Sequence, residues 1–180
     1  MRKVLVPFLV TLCFAACTSS TPSTPAAAGS DSAAAAAATV SLPYVAAYSS
    51  NFVPGKQTDV LTVLNSYKAW ETGDMAALKA TFADTTSMNF PNGLVVRATA
   101  DSMARMAGKY RDSLSKVVLT FDAWIANHSV DKNQDWVNVW YKEVDTHKSG
   151  KVDSAYYEDD NLLKDGKIVW VSSHEQRYKK

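Results

Sequence analysis

The sharpest chemical signal in this sequence is a predicted hairpin near its C-terminus, on which acid–base side chains face one another. Residues 165–166 are Asp-Gly, a strong two-residue turn signal between two strand-like runs. Counting outward from this turn predicts that Tyr157 faces His174 and that Asp159 faces Ser172. One face of the hairpin would then collect Tyr157, Asp159, Asn161, Trp170, Ser172 and His174. A Tyr–His–Asp group beside a Trp can line a polar pocket and supply a general acid or base.

The hydrophobic pattern does not decide which face of this hairpin points inward. A solvated outer face and a dimer contact both stay open for the same residues, and a slip of one residue would mix the two faces. Tyr157, Asp159 and His174 are therefore catalytic candidates whose face, inward or outward, the sequence leaves open.

Metal and cofactor chemistry have little support in the sequence. His128, His147 and His174 each stand alone, without the paired spacing of zinc sites. The loop that begins at Asp145 has a Gly at the sixth position of a calcium-loop pattern, but Tyr156 occupies the twelfth, where a bidentate Glu belongs. No phosphate-binding loop, dinucleotide fingerprint or nucleophile elbow is present. We therefore expect no metal and no cofactor.

The first seventeen residues have the pattern of an export signal. Arg2 and Lys3 precede an apolar stretch from Val4 to Ala16, which is too short to span a membrane and is typical of a secretory signal peptide. The end of this stretch, Ala-Ala-Cys17, resembles the lipobox of bacterial lipoproteins. That resemblance implies removal of residues 1–16, acylation of Cys17 and a stable lipid anchor in the bacterial cell envelope, on either the inner or the outer membrane. The alternatives are a plain signal peptide cleaved after an Ala and a buried N-terminal helix.

A tether separates this signal from the rest of the chain. Residues 17–42 are rich in Ala, Ser, Thr and Pro and have no apolar face to bury, which predicts a solvated linker. Residues 43–56 form a transition, in which Tyr44, Tyr48 and Phe52 either lie against the domain or belong to the tether. With 19 basic and 18 acidic residues in the chain, nothing indicates a nucleic-acid partner.

The pattern of residues 57–180 predicts one α+β domain. Val60, Val63, Leu64, Tyr67 and Trp70 have helical spacing, with Thr58 as a candidate N-cap and Gly73 as a stop. Asp74 and Thr99 are candidate caps of two further helices, which flank a short hairpin around Pro91. About four long antiparallel strands follow, in the ranges 117–130, 136–144, 152–163 and 167–177. Three helices on one side of such a curved sheet make a two-layer architecture.

That order, over residues 57–178, resembles the cone-shaped fold of the nuclear transport factor 2 superfamily. The stretch Val60–Asp84 and the phrase Thr85–Gly93 are similar to the openings of SnoaL-like and ketosteroid-isomerase-like domains. The resemblance implies a pocket between helices and sheet, in which Tyr67 would match a pocket tyrosine. It also implies a general-base Asp before the Pro of the strand–turn segment. That place is Phe90, preceded by Asn89, and neither residue is a base at neutral pH; isomerase chemistry of that kind is therefore not expected.

The aromatic residues allow a bland and a functional interpretation. Most of them are expected to fill the core or a dimer surface. As alternative walls of a ligand pocket we take Tyr67, Trp70, Asn89, Met103, Met106, Trp124, Trp140 and Trp170. We expect a homodimer through the uncovered sheet face, unless residues 43–56 fold back over that face within one chain.

Two functions follow from these observations. The first is an envelope-anchored module that binds a small apolar ligand or a protein partner without catalysis. It is favoured because the general-base Asp that the resemblance implies is absent. The second is a small cofactor-independent enzyme of the dehydratase, cyclase or isomerase type, with Tyr157, Asp159 and His174 as its acid–base residues.

Overall fold

The computed structural model describes residues 41–176. The chain divides into two units, residues 1–41 and 42–180, and every helix and strand below lies in the second unit. The proposed signal peptide, Cys17 and nearly all of the proposed tether lie outside the described residues. Within the described part of the chain, no helix has both the length and the apolar character needed to cross a membrane.

The described part of the chain has three helices, each with one end whose position has a clear stereochemical cause. Helix α1 spans Gln57–Thr72 and ends at Gly73, whose φ of 78° lies in the left-handed region that favours glycine. Helix α2 spans Met75–Thr81, and its N-cap Asp74 accepts a hydrogen bond from the Ala77 amide at 2.9 Å. Helix α3 spans Ala100–Arg111, and its N-cap Thr99 accepts one from the Ser102 amide at 3.3 Å. The predicted stop and both of these predicted caps are confirmed.

The predicted N-cap of α1 is wrong. The helix begins before Thr58, because the amides of Asp59 and Val60 donate to the carbonyl of Lys56 at 3.1 and 3.5 Å. Lys56 is therefore the N-cap, and its side chain does not cap the helix.

Seven strands form one sheet. Their ranges are β1 Phe52–Pro54, β2 Phe82–Asn89, β3 Val95–Thr99, β4 Leu114–Ser129, β5 Gln134–His147, β6 Val152–Lys164 and β7 Lys167–Gln176. Their order across the sheet is β1-β4-β5-β6-β7-β2-β3. The α+β class is confirmed, but the strands differ in part from the prediction: the sheet has seven strands where six were predicted, and β4 and β5 are longer than their predicted ranges.

Two features of the sheet differ from the predicted antiparallel arrangement. The sheet is mixed, because β2 lies parallel to β7 while its other neighbour, β3, is antiparallel. A seventh strand, β1, comes from the transition segment, which pairs with the edge strand β4 from Phe52 opposite Ser129 to Pro54 opposite Asn127. Pairing covers part of an edge whose backbone groups would otherwise be open.

The two faces of the sheet have different partners. We call inner the face on which Val137, Val139 and Tyr141 lie, since these residues are buried in one core with Val60 and Val63 of α1. The outer face carries the alternate residues of β5, such as Trp136 and Trp140, which are only partly buried.

A β-bulge in the last hairpin changes which side chains share a face. Lys164 pairs with Lys167 and Leu163 with Ile168, as predicted, but Leu162 then pairs with Trp170, which leaves Val169 as an extra residue. From this point every predicted pair is wrong by one residue, so that Asp159 faces Ser173 and His174 faces Glu158. Because side chains alternate between faces, this shift sends Trp170, Ser172 and His174 to the outer face, away from Tyr157 and Asp159.

Part of the transition segment lies on the outer face, which corresponds to the cover considered as the alternative to a dimer. Tyr48 contacts the Trp136 ring edge-on at 5.8 Å between centroids, and its hydroxyl accepts a hydrogen bond from the Trp136 indole at 2.9 Å. Phe52 lies 6.4 Å from Tyr48, whereas Tyr44 is 86% exposed and does not take part. Twofold pairing through the rest of the outer face stays a prediction.

Replacing Gly55 with Ala should loosen this docked segment, residues 48–54. A Cβ at Gly55 would lie 2.8 Å from the Asn127 backbone nitrogen and 2.9 Å from the Ala126 carbonyl carbon, so β1 would have to move away from β4. We expect amide hydrogen exchange at residues 49–53 to become about tenfold faster or more. The Trp136 indole resonance should also shift, because the contact with Tyr48 weakens.

The exposed Tyr44 offers a matched control. Tyr44→Ala should leave both exchange and the indole resonance as they are in the parent protein. Equal protection of residues 49–53 in Gly55→Ala and the parent would show that the docked arrangement is wrong.

Candidate functional site

The centre of the inner face is a buried carboxyl held by two tyrosines. Asp159 on β6 is only 5% exposed, and its Oδ2 accepts hydrogen bonds from the hydroxyls of Tyr67 at 2.6 Å and Tyr141 at 3.0 Å. Tyr67 comes from α1 and Tyr141 from β5, so this carboxyl joins the helix to the sheet. The two tyrosine rings also contact each other, 5.0 Å apart and tilted by 60°.

Burial is the main cause of the shifted pKa values of Asp159, Tyr67 and Tyr141. Loss of water raises the pKa of Asp159, although the hydroxyls of Ser173, Tyr67 and Tyr141 each lower it. Burial also raises the pKa of Tyr67 and Tyr141 well above the usual range of a phenol, and the neighbouring Asp159 carboxyl raises both further. The two tyrosines therefore stay protonated and act as hydrogen-bond donors.

Two further carboxyls follow on the inner face of β5. The Glu143 Oε1 accepts a hydrogen bond from the Trp70 indole at 2.9 Å, and the Asp145 Oδ2 accepts one from the Tyr110 hydroxyl at 3.2 Å. Burial, together with the charge and hydrogen bonding of Asp145, raises the pKa of Glu143 to about 8 even though the Trp70 contact lowers it. Burial and the Asp145 carboxylate raise the pKa of Tyr110 to about 12.

Glu143, Asp145 and Asp159 form one electrostatic group, which we call the carboxyl cluster. The charges of Asp145 and Asp159 both raise the pKa of Glu143, so the three groups interact. No N–H or hydroxyl group of the described residues donates to the Oδ1 of Asp145 or of Asp159, and both atoms are buried; the carboxyl of Asp145 also has a hydrogen bond with the protonated Glu143. Ser173 faces Asp159 across the β6–β7 pair, and its hydroxyl lowers the pKa of this carboxyl.

No cation of the described chain neutralises this cluster. None of the ion pairs among residues 41–176 involves Glu143, Asp145 or Asp159. Arg111, at the end of α3, donates its hydrogen bonds to backbone carbonyls, those of Trp70, Glu71 and Leu114. Over the same residues, no group of three or more His, Cys, Asp or Glu side chains is arranged to hold a metal ion.

Aromatic rings surround the cluster. Trp70 stacks on Tyr110 at 6.0 Å, and Tyr141 stacks on Tyr157 at 5.4 Å. Phe121 contacts the rings of Tyr67, Trp124 and Tyr141, with centroids 5.4, 6.3 and 5.6 Å away. Glu143, Phe121 and Tyr157 are only partly buried, so this end of the site is within reach of a molecule from solvent.

The three catalytic candidates are not brought together. Asp159 is the centre of the site, and Tyr157 lies beside it on the inner face. His174 points to the outer face, where its Nε2 lies 3.9 Å from an Asp160 carboxylate oxygen and its side chain is 65% exposed. The cause is the bulge at Val169, which places His174 opposite Glu158 and not opposite Tyr157.

The pocket candidates are divided between the two faces. Tyr67 and Trp70 belong to the site, Met103 is buried in the core, and Trp124 is 48% exposed beside Phe121. Met106 is 44% exposed on α3, and Asn89 ends β2 in a pair with Ser172. Trp140 and Trp170 lie on the outer face. The carboxylates of β5 were absent from the sequence candidates, although Glu143 and Asp145 continue the alternation that starts at Val137 and Val139.

The raised pKa of Glu143 predicts the pH dependence of stability. In the folded protein the pKa of Glu143 is about 8, whereas the ordinary pKa of a Glu side chain, as in the unfolded chain, is 4.5. Between these values the folded state binds more protons than the unfolded chain, so a rise in pH lowers the free energy of unfolding. From pH 5 to pH 8 we expect a loss of up to about 4 kcal/mol, and Glu143→Gln should remove most of this slope.

Urea denaturation at pH 5, 6, 7 and 8 measures this effect. Glu158→Gln, an exposed change on the outer face, should keep the parent slope. A parent protein whose stability rises from pH 5 to pH 8, or an unchanged slope in Glu143→Gln, would contradict the assignment.

No protein-family profile and no curated protein matches this sequence. Solved structures do match its fold. An LEH-like epoxide hydrolase of M. tuberculosis has a TM-score of 0.57 at 10% identity, over 67% of this chain and 84% of the other. An NTF2-like protein of unknown function from Exiguobacterium sp. 255-15 has a TM-score of 0.54 at 16% identity, over 65% and 99%.

A third match is a protein with a ketosteroid isomerase-like fold from Catenulispora acidiphila, solved in complex with trimethylamine. It has a TM-score of 0.52 at 13% identity, over 63% of this chain and 83% of the other. Identities this low show the fold alone. The α+β domain of this chain therefore has the nuclear transport factor 2-like fold that the sequence resemblance predicted.

Proposed function

We propose that the inner face of this domain binds a small organic molecule that carries a protonated amine next to an apolar body, and that it does so without catalysis. The observation that carries this proposal is the carboxyl cluster, three interacting carboxyls that no cation of the described chain neutralises. Buried charges in proteins are normally paired, and a cluster left without a counterion favours a cationic ligand.

The raised pKa of Glu143 supports the same ligand charge. Without a cation, burial and the neighbouring carboxyls keep the proton on Glu143. An ammonium group near the cluster would offset both effects and favour the ionised form. The Oδ1 atoms of Asp145 and Asp159, to which no N–H or hydroxyl group of residues 41–176 donates, are acceptors for its N–H groups once Glu143 has lost its proton.

The surrounding rings suit the rest of such a molecule. Phe121 and Tyr157 are partly buried beside the cluster and offer aromatic area to an apolar body. Aromatic faces also attract cations.

Acid–base catalysis by Glu143 is the second candidate. A carboxyl with a pKa of about 8 is present in both protonation states near neutral pH, as a general acid or base requires. Binding is favoured over this alternative because the family's general-base position is Phe90 and because His174 lies on the opposite face from Asp159.

Phenethylamine and 2-phenylethanol form a matched pair of probes for this proposal, since they share the aromatic body and differ in charge at neutral pH. Calorimetric titration of the full chain should give binding of the amine about tenfold tighter than that of the alcohol. The affinity for the amine should rise from pH 6 to pH 8.5, because the ionised form of Glu143 is the one that binds. Glu143→Gln should remove most of the pH dependence and reduce the preference for the amine, to which Asp145 and Asp159 still contribute.

Glu158→Gln on the outer face serves as the control and should bind like the parent protein. Equal affinity for amine and alcohol in the parent would contradict the proposal. Conversion of the amine to a new product in the same samples, detected by mass spectrometry, would favour the enzymatic candidate.

We further propose that this domain is held at the bacterial cell envelope through acylated Cys17. Support comes from the positive residues, the short apolar stretch and the Ala-Ala-Cys sequence at the N-terminus. A lipid-anchored domain on a polar tether would sample ligands at the membrane surface.

Replacing Cys17 with Ser should release the protein from membranes. We expect the variant to lose incorporation of labelled fatty acid and to leave the membrane fraction of a bacterial host. Cys13→Ser is the matched control, since Cys13 lies within the predicted signal peptide. Retention of acyl label and membrane association in Cys17→Ser would rule out this anchor.

A further inference from the structure

We propose that the outer face of the sheet carries a second binding site, for a small aromatic carboxylate. The site is a cavity of about 560 Å³ that crosses the strands from Trp136 to Arg97, and we call it the outer trough. It lies on the face opposite to the carboxyl cluster, and it does not depend on the function proposed for the inner face.

The register of the sheet builds the outer trough from one row of paired residues. Leu162 pairs with both Trp136 and Trp170, and Ser87 pairs with both Trp170 and Arg97. Side chains of paired residues point to the same face, so all five line one row across β5, β6, β7, β2 and β3. With strands about 4.8 Å apart, Trp170 and Arg97 are separated by about 10 Å.

One end of the trough is aromatic. The rings of Trp136 and Trp170 meet edge-on at 5.7 Å and 85°, and Tyr48 of the docked segment meets Trp136 at 5.8 Å and 87°. Perpendicular rings form a corner against which a flat ring can lie with two contacts at once. Neither Trp is fully buried, so their surfaces are free to accept it.

The other end of the trough has a cationic side chain, that of Arg97. Arg97 is exposed and has no ion pair or hydrogen bond among the described residues. The hydroxyl-bearing Thr85 and Ser87 line the same cavity next to it. A guanidinium binds a carboxylate through two parallel hydrogen bonds, and neighbouring hydroxyls can donate to the same oxygens. The aromatic corner and the guanidinium are two strand spacings apart. This arrangement fits a ligand with an aromatic ring at one end and a carboxylate at the other.

Binding of 2-naphthoate to the full chain tests this assignment, with the neutral 2-naphthamide as its matched probe. Calorimetric titration should give tighter binding of the carboxylate, and nitrogen-15 correlation spectra should show shifts of the Trp136 and Trp170 indole resonances. Arg97→Gln should weaken 2-naphthoate binding by about tenfold or more and leave 2-naphthamide unchanged. Arg105→Gln, an exposed arginine on α3, should bind like the parent protein.

The same spectra contain the results that would overturn the proposal. Shifts confined to Trp70 and Trp124 would place the probe on the inner face, and equal binding by Arg97→Gln would exclude the guanidinium. Indole resonances of Trp136 and Trp170 that respond to protein concentration and not to 2-naphthoate would assign the outer trough to a second copy of the chain. Absence of binding at millimolar probe would also refute it.

Discussion

The burial of Asp159 is the constraint on which the arrangement of this domain depends. A carboxyl that is 5% exposed needs hydrogen-bond donors, and here they come from one helix and one strand, through Tyr67 and Tyr141. These two bonds fix the rotation of α1 and its position along the sheet. The rest of the inner face follows from that position, since Trp70, one helical turn after Tyr67, then reaches Glu143.

The two faces of the sheet present different charged groups around their cavities and clusters. Within residues 41–176, the carboxyl cluster of the inner face has no ion pair, and the outer trough has at one end Arg97, which has no ion pair or hydrogen bond in that part of the chain. Strand alternation keeps the two sets of residues apart by the thickness of one sheet. Tyr48 of the docked segment lies on the outer face and lines the outer trough.

The likeness to nuclear transport factor 2-like structures concerns architecture, because one fold of this kind accommodates many chemistries. What distinguishes this chain is where its ionisable groups lie. The carboxyls of the inner face lie on β5 and β6, whereas Asn89 and Phe90, where β2 ends, carry no acid or base. The ionisable groups that the inner face offers to a ligand are therefore Glu143, Asp145 and Asp159, with the aromatic rings around them.

Local sequence determined the helices, their caps at Asp74 and Thr99, the stop at Gly73 and the four long strands, because hydrophobic periodicity and capping act within a few residues. It also determined that Asp159 and Tyr157 share a face. Only the tertiary structure decided that Val169 bulges, that β2 runs parallel to β7 and that His174 points away from Asp159. The physical reason is that a bulge and a distant strand pairing depend on packing between segments far apart in sequence, and no short-range pattern records them.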